Sequence, residues 1–143
     1  MKISNRTFYG LKLMLRLAIS YNDSVLSLNE IAESENISEK FLEHIISAIK
    51  SKGIVKVKRG AKGGYFLAKP PSEITMNEIF DVLEADILNN EWSKHEELTT
   101  ADIIIKRCLW EFQKNIDDIL ENKTLEELKT KYETIKPDTM FYI

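Results

Sequence analysis

The chain has 143 residues, 43% of them hydrophobic, a single cysteine and a net charge of −3. That is enough for one domain with an added oligomerisation element; it is too apolar for a disordered chain, and it lacks both the roughly 18-residue apolar run of a membrane helix and the pattern of a secretion signal, so a cytoplasmic protein is expected. Residues 1–70 hold 12 Lys and Arg against 6 Asp and Glu, a net of +6, and residues 71–143 hold 8 against 17, a net of −9, which suggests a front that faces a polyanion and a back that does not.

In chain order, residues 7–20 read as a helix with Leu11, Met14, Leu15, Ala18 and Ile19 on its buried side. Ser27 and Glu30 have capping-box spacing and open a short helix to about residue 33. Ser38 caps a third helix running to residue 52, with Phe41, Leu42, Ile45, Ile46 and Ile49 facing a core and Gly53 just past its last turn. Apolar and basic residues then alternate from 54 to 59, the pattern of a strand. Residues 60–64 form a glycine-rich loop, residues 65–68 a second strand, and Pro70 and Pro71 stop it. Thr75 and Glu78 form another capping box, and Ile79, Phe80 and Leu83 give the helix behind it an apolar side. An acidic connector at 85–99 leads to a long helix at 100–122, whose apolar positions include Ile104, Ile105, Cys108, Leu109, Phe112, Ile116, Ile119 and Leu120. Thr124 and Glu127 form a further capping box and open a last helix to about residue 132, and residues 133–143 are a tail. The fold class is mostly α with a small β-hairpin: a winged helix-turn-helix over residues 1–84, followed after the connector by a long helix.

Two short helices, a tight turn and a basic hairpin make a DNA reader. A helix in the major groove must show a polar edge outward and an apolar edge to its own core. Helix 38–52 does so, with Ser38, Glu39, Lys40, Glu43 and His44 outward near its start. Glu43 can accept from a cytosine amine, and His44 can reach a purine edge or a phosphate. In the hairpin, Lys56, Lys58, Arg59 and Lys62 surround the glycine-rich tip. Arg59 is the candidate for minor-groove insertion, and the lysines are candidates for phosphate contacts. Lys2, Arg6 and Tyr9 are placed to clamp the backbone where the first helix begins. Each part alone also fits an ordinary solvated surface; the order of the parts is what is specific.

These residues resemble the winged helix-turn-helix transcription regulator family that includes the iron–sulfur cluster regulator IscR and the cysteine-metabolism repressor CymR. The likeness covers nearly the whole chain. It includes Met1-Lys-Ile-Ser4, Tyr9-Gly-Leu11, Ile31-Ala32, Ile37-Ser38, Leu42-Glu43, Arg59-Gly60, Gly63-Gly64-Tyr65, Leu109-Trp110 and the segment from Thr124 to Leu128. The resemblance implies a homodimer on a palindromic double-stranded DNA operator, with Arg59 and Tyr65 in the wing. It implies that helices 100–132 build the dimer, with Ile105, Leu109, Phe112, Ile116 and Ile119 at the contact. Cluster-binding members carry three cysteines before the dimer helix. Residues 87–107 hold none, and Cys108 matches none of the three, so no cofactor is expected. That points to the CymR-like branch, repressors of cysteine and sulfur metabolism genes. The ending Met140-Phe-Tyr-Ile143 resembles that branch too. Its members pair with the cysteine synthase O-acetylserine thiol-lyase, which captures chains ending in isoleucine. Phe141, Tyr142 and Ile143 would be the partner-binding tail; the same residues could instead pack on their own dimer helix.

Other readings stay open at the level of sequence. One is a redox- or small-molecule-sensing regulator acting through Cys108, otherwise a small core or interface residue, or through an unseen pocket. Another is a helical protein-binding adaptor, which the basic wing disfavours. Trp110 is expected in a scaffold or intersubunit contact and His95 in solvent. Asp81, Glu84, Asp86 and Glu91 look like surface carboxylates. There is no Walker loop, HExxH motif or nucleophile elbow, so an enzyme is not expected.

Overall fold

The computed structural model describes residues 2–85 and 89–135. It contains six α-helices and two strands among the described residues: α1 Asn5–Ile19, α2 Leu28–Glu35, α3 Glu39–Ser51, β1 Val55–Lys58, β2 Gly64–Leu67, α4 Met76–Leu83, α5 Thr100–Asn122 and α6 Leu125–Thr134. None of the helices is long and apolar enough to cross a membrane. The predicted capping boxes at Ser27–Glu30 and Thr75–Glu78 are both present in full, each hydroxyl accepting from the N3 amide and each glutamate accepting from the cap amide. The box expected at Thr124–Glu127 is only half made: Thr124 accepts from the Glu127 amide at the start of α6, but the Glu127 carboxylate lies 4.0 Å from Lys123 Nζ instead of bonding the cap amide. A further box, Thr99 with Asp102, opens α5.

The buried side of α1 is Thr7, Gly10, Leu13, Met14, Leu17 and Ala18. This corrects the sequence-based face: Met14 and Ala18 are buried, but Leu11, Leu15 and Ile19 are only half-buried. The helix is packed by α3, α4, α6 and β2, so apolar residues are shielded around most of its circumference and periodicity alone does not fix one inward stripe. The core joins Leu13 and Leu17 of α1 to Leu42, Ile45 and Ile49 of α3 and Ile79 of α4.

In α2 the last turn closes on Asn36, whose backbone is left-handed (φ 53°). The Ile37 amide donates back to the Ala32 carbonyl at 3.0 Å, and α3 begins two residues later. The strands pair antiparallel, Val55 with Leu67 and Lys58 with Gly64 at the two ends. The segment before α2 adds a short third edge to this hairpin: the Leu26 amide donates to the Tyr65 carbonyl at 3.0 Å, and the Tyr65 amide to the Leu26 carbonyl at 2.7 Å. That edge passes so close that a Cβ on Gly64 would lie 2.6 Å from the Leu26 carbonyl carbon, and one on Gly63 would lie 2.1 Å from the Lys58 oxygen. Both are backbone clashes, so the sequence at the base of the wing needs glycine.

After α5 the chain returns to the winged domain. The Met76 amide donates to the Lys123 carbonyl at 2.8 Å, and the Leu125 amide to the Ile74 carbonyl at 2.9 Å. Leu125 is fully buried in the same core as α1 and α3, and Leu128 packs against it. The connector holds a short 3-10 turn, Glu91–Lys94, whose Trp92 meets Trp110 of α5 edge-on at 4.9 Å. Trp110 is thus a scaffold contact, and His95 is exposed. Asp86 and the tail residues Phe141, Tyr142 and Ile143 lie outside the described residues.

Candidate nucleic-acid interface

The helix expected to read DNA presents a polar edge to solvent. Ser38, Glu39, Lys40, Glu43 and His44 are all exposed, while Leu42, Ile45, Ile46 and Ile49 are buried on the opposite side. Ser38 accepts from the Phe41 amide at 3.4 Å and caps α3. Glu39 is tied to the preceding helix, accepting from the Asn29 side-chain amide at 3.4 Å. Ser47 and Lys50 are exposed further along α3, at the helical spacing set by Lys40 and Glu43. The outward edge is therefore longer than the sequence reading drew it; continuing the same period would have found both residues.

In the wing, Lys56, Lys58, Arg59 and Lys62 are exposed and take part in no ion pair among the described residues. Other cations of the basic half are already engaged: Lys12 and Arg16 with Glu35 at 3.3 and 3.7 Å, and Lys69 with Glu78 at 2.7 Å. The free positive charge thus sits on the hairpin, on Lys40, Lys50 and Lys52 along α3 and at its end, and on the exposed Lys2 and Arg6.

Two candidate residues are less open. Tyr9 is half-buried and meets Phe41 of α3 edge-on at 5.5 Å, which couples the start of α1 to the start of α3. Tyr65 is also half-buried, packed against the core while its backbone bonds to Leu26.

Glu84 is a clear correction. It is not a surface carboxylate: it is only 8% exposed and accepts from the Thr7 hydroxyl at 2.7 Å and from the Ser4 amide. The hydrogen bonds from Ser4 and then Thr7 hold its carboxyl below the ordinary range, against the opposing effect of desolvation. Position in sequence gave no sign of this, because Glu84 ends a helix and its partners lie some eighty residues away.

On α5, Ile105, Phe112 and Ile119 are 58–59% exposed. Ile116 instead packs against the chain's own core and Leu109 is half-buried. Cys108 is exposed on the single chain, so it is not a core residue. A pocket of about 230 Å³ lies between the connector and the start of α5, lined by Trp92, His95, Ala101, Ile105, Lys106 and Leu109 among others. Lys106 donates to the Ser93 and His95 carbonyls beside it.

The profile of the Rrf2 family, described as an iron-dependent transcriptional regulator, matches residues 3–131. The chain belongs to the Rrf2 family. It is 38% identical over 144 residues, the full length of both chains, to the HTH-type transcriptional regulator CymR of Bacillus subtilis (strain 168). The solved structure of CymR, the global cysteine regulator of B. subtilis, is similar with a TM-score of 0.77 at 37% identity, over 92% of this chain and 98% of that one. That of IscR from T. potens is similar with a TM-score of 0.75 at 30% identity, over 99% and 97%. This Rrf2 protein is a CymR-like transcriptional regulator, and its macromolecular partner is DNA. The iron in the family description finds no matching donor set here. Protein iron–sulfur clusters are held mainly by cysteine thiolates, about four per cluster. This Rrf2 chain has one cysteine, and no three His, Cys, Asp or Glu side chains are grouped to hold a metal ion among the described residues.

Proposed function

We propose that the protein is a homodimeric repressor of cysteine and sulfur metabolism genes, controlled without an iron–sulfur cluster. The observation that carries this reading is the 38% identity to CymR, which runs the full length of both chains. Lys40, Glu43, His44 and Ser47 read base edges in the major groove, Arg59 enters the minor groove, and Lys2, Arg6, Lys56, Lys58 and Lys62 meet phosphates. Tyr9 and Tyr65 act by holding α3 and the wing in place. Two copies join through the exposed face of α5 at Ile105, Phe112 and Ile119, with Leu109 and Ile116 at its margin. A two-fold dimer then suits a palindromic operator with half-sites roughly 34–36 Å apart. Control passes to O-acetylserine thiol-lyase, which takes up Phe141, Tyr142 and Ile143.

Genomic fragments bound by the protein, selected with and without the host's cysteine synthase, test this reading. The expected result is one palindromic motif upstream of sulfur-metabolism genes, with an occupancy that the enzyme changes only while Tyr142 and Ile143 are present. Fragments sharing no palindrome, or lying beside unrelated genes, would overturn it. An enzyme effect that survives removal of the two residues would remove the tail from the account.

One observation favours a second reading: Cys108 is exposed, which thiol-based sensing requires. Peroxide would then weaken operator binding in the wild type and not in Cys108→Ser.

A further inference from the structure

Among the described residues Glu84 is the only buried charged side chain. Its backbone ends α4, the amide donating to the Phe80 carbonyl at 2.7 Å. Its side chain crosses to the first turn of α1, where Oε1 alone accepts both the Ser4 amide and the hydroxyl of the fully buried Thr7. Burying a carboxylate costs desolvation, offset here by two hydrogen bonds and by the positive end of α1.

Capping alone does not call for this. Ser4 already caps α1, its hydroxyl accepting from the Thr7 amide at 3.3 Å. What Glu84 adds is a hold on the Ser4 amide, a group outside the helix. That fixes the path of the chain between the exposed Lys2 and Arg6, which lie two residues to either side of Ser4. We infer that Glu84 is a positioning residue for DNA binding: it holds the chain entering α1 so that Lys2 and Arg6 meet the phosphate backbone in a fixed register. Burial also keeps its negative charge away from the DNA. This inference rests on the proposed phosphate contacts of Lys2 and Arg6.

The test is the salt dependence of operator affinity in full-length Glu84→Ala, Glu84→Gln, Arg6→Ala and the Arg6→Ala/Glu84→Ala double variant, with melting temperatures alongside. Each phosphate contact contributes about 0.9 to the slope of log K against log salt. A dimer on a palindrome carries each residue twice, so Arg6→Ala is expected to lower the slope by about 1.8, and Glu84→Ala by about 3.6, since both contacts lose their register. The double variant should match Glu84→Ala. Glu84→Gln keeps Oε1, can accept both bonds, and should restore the wild-type slope. A wild-type slope in Glu84→Ala beside a lowered one in Arg6→Ala overturns the inference, whatever the melting temperatures, and leaves Glu84 a cap. A wild-type slope in Arg6→Ala removes the phosphate contact itself, and the inference with it. If Glu84→Ala does not fold, Glu84→Asp takes its place: its carboxylate ends one methylene short of the Ser4 amide, a reduced slope is expected, and a wild-type slope beside a lowered one in Arg6→Ala overturns the inference.

Discussion

Glu84 and Arg59 are opposite uses of charge. Arg59 is exposed with no ion pair among the described residues, free to be desolvated by a ligand of opposite sign. Replacing it with alanine should cost about 1–3 kcal/mol of operator affinity and leave the melting temperature unchanged. An operator titration that shows no loss removes Arg59 from the reader. Glu84 is buried and satisfied within the chain, with its carboxyl held below the ordinary range by Ser4 and Thr7. A carboxylate with a lowered folded-state value contributes stability that is full above the ordinary range and is lost as pH falls through the lowered value. The stability gap between wild type and Glu84→Gln in urea should therefore be largest near neutrality and should close on acidification below about pH 4. A gap that does not change with pH would mean that the charge contributes nothing.

At the scale of elements, what the sequence disclosed and what it hid divide along a physical line. Local chemistry was legible: both complete capping boxes within the winged domain act between residues three apart, and the change from helical to alternating period marked where α3 gives way to β1. Contacts between distant segments were not. Nothing in residues 25–27 signalled that Leu26 would edge the wing, or that Gly64 would be glycine because of it. The inward side of α1 was misassigned because several helices cover it, and the positive charge of residues 1–70 could be counted from sequence without showing that Lys12, Arg16 and Lys69 are already paired. The wing edge makes a direct check possible. Gly64→Ala should cost about 1–3 kcal/mol in chemical unfolding through its clash with the Leu26 backbone, and its operator affinity should fall with it. Wild-type stability would show that the approach of Leu26 relaxes at no cost. On α5, Phe112→Asp would remove an apolar contact from each copy of the proposed two-fold interface. Each buried phenylalanine is worth about 1.5–3 kcal/mol and the interface would hold two, so dimer affinity should weaken roughly a hundredfold or more by analytical ultracentrifugation. An unchanged sedimentation coefficient would move the dimer contact off this face.

Over the whole molecule the charge is divided by function. The positive front carries α3 and the wing. The negative back holds α5, about 34 Å long, and α6, which returns to the core of the winged domain. The single observation that sequence left least expected at this scale is that return: Leu120 at the end of α5 and Leu125 at the start of α6 share a core with α1 and α3. The most direct test of sequence-specific binding by this front is the affinity of the wild-type protein for the selected operator and for a scrambled duplex of equal length, measured between 50 and 200 mM salt. With about 6–10 phosphate contacts, the operator affinity should fall by roughly 10³–10⁵ across that range, and at each salt the operator should be held at least about 10³ times more tightly than the scrambled duplex. Equal affinity for the two duplexes, or binding indifferent to salt, would contradict the assignment of α3 and the basic wing as the DNA reader.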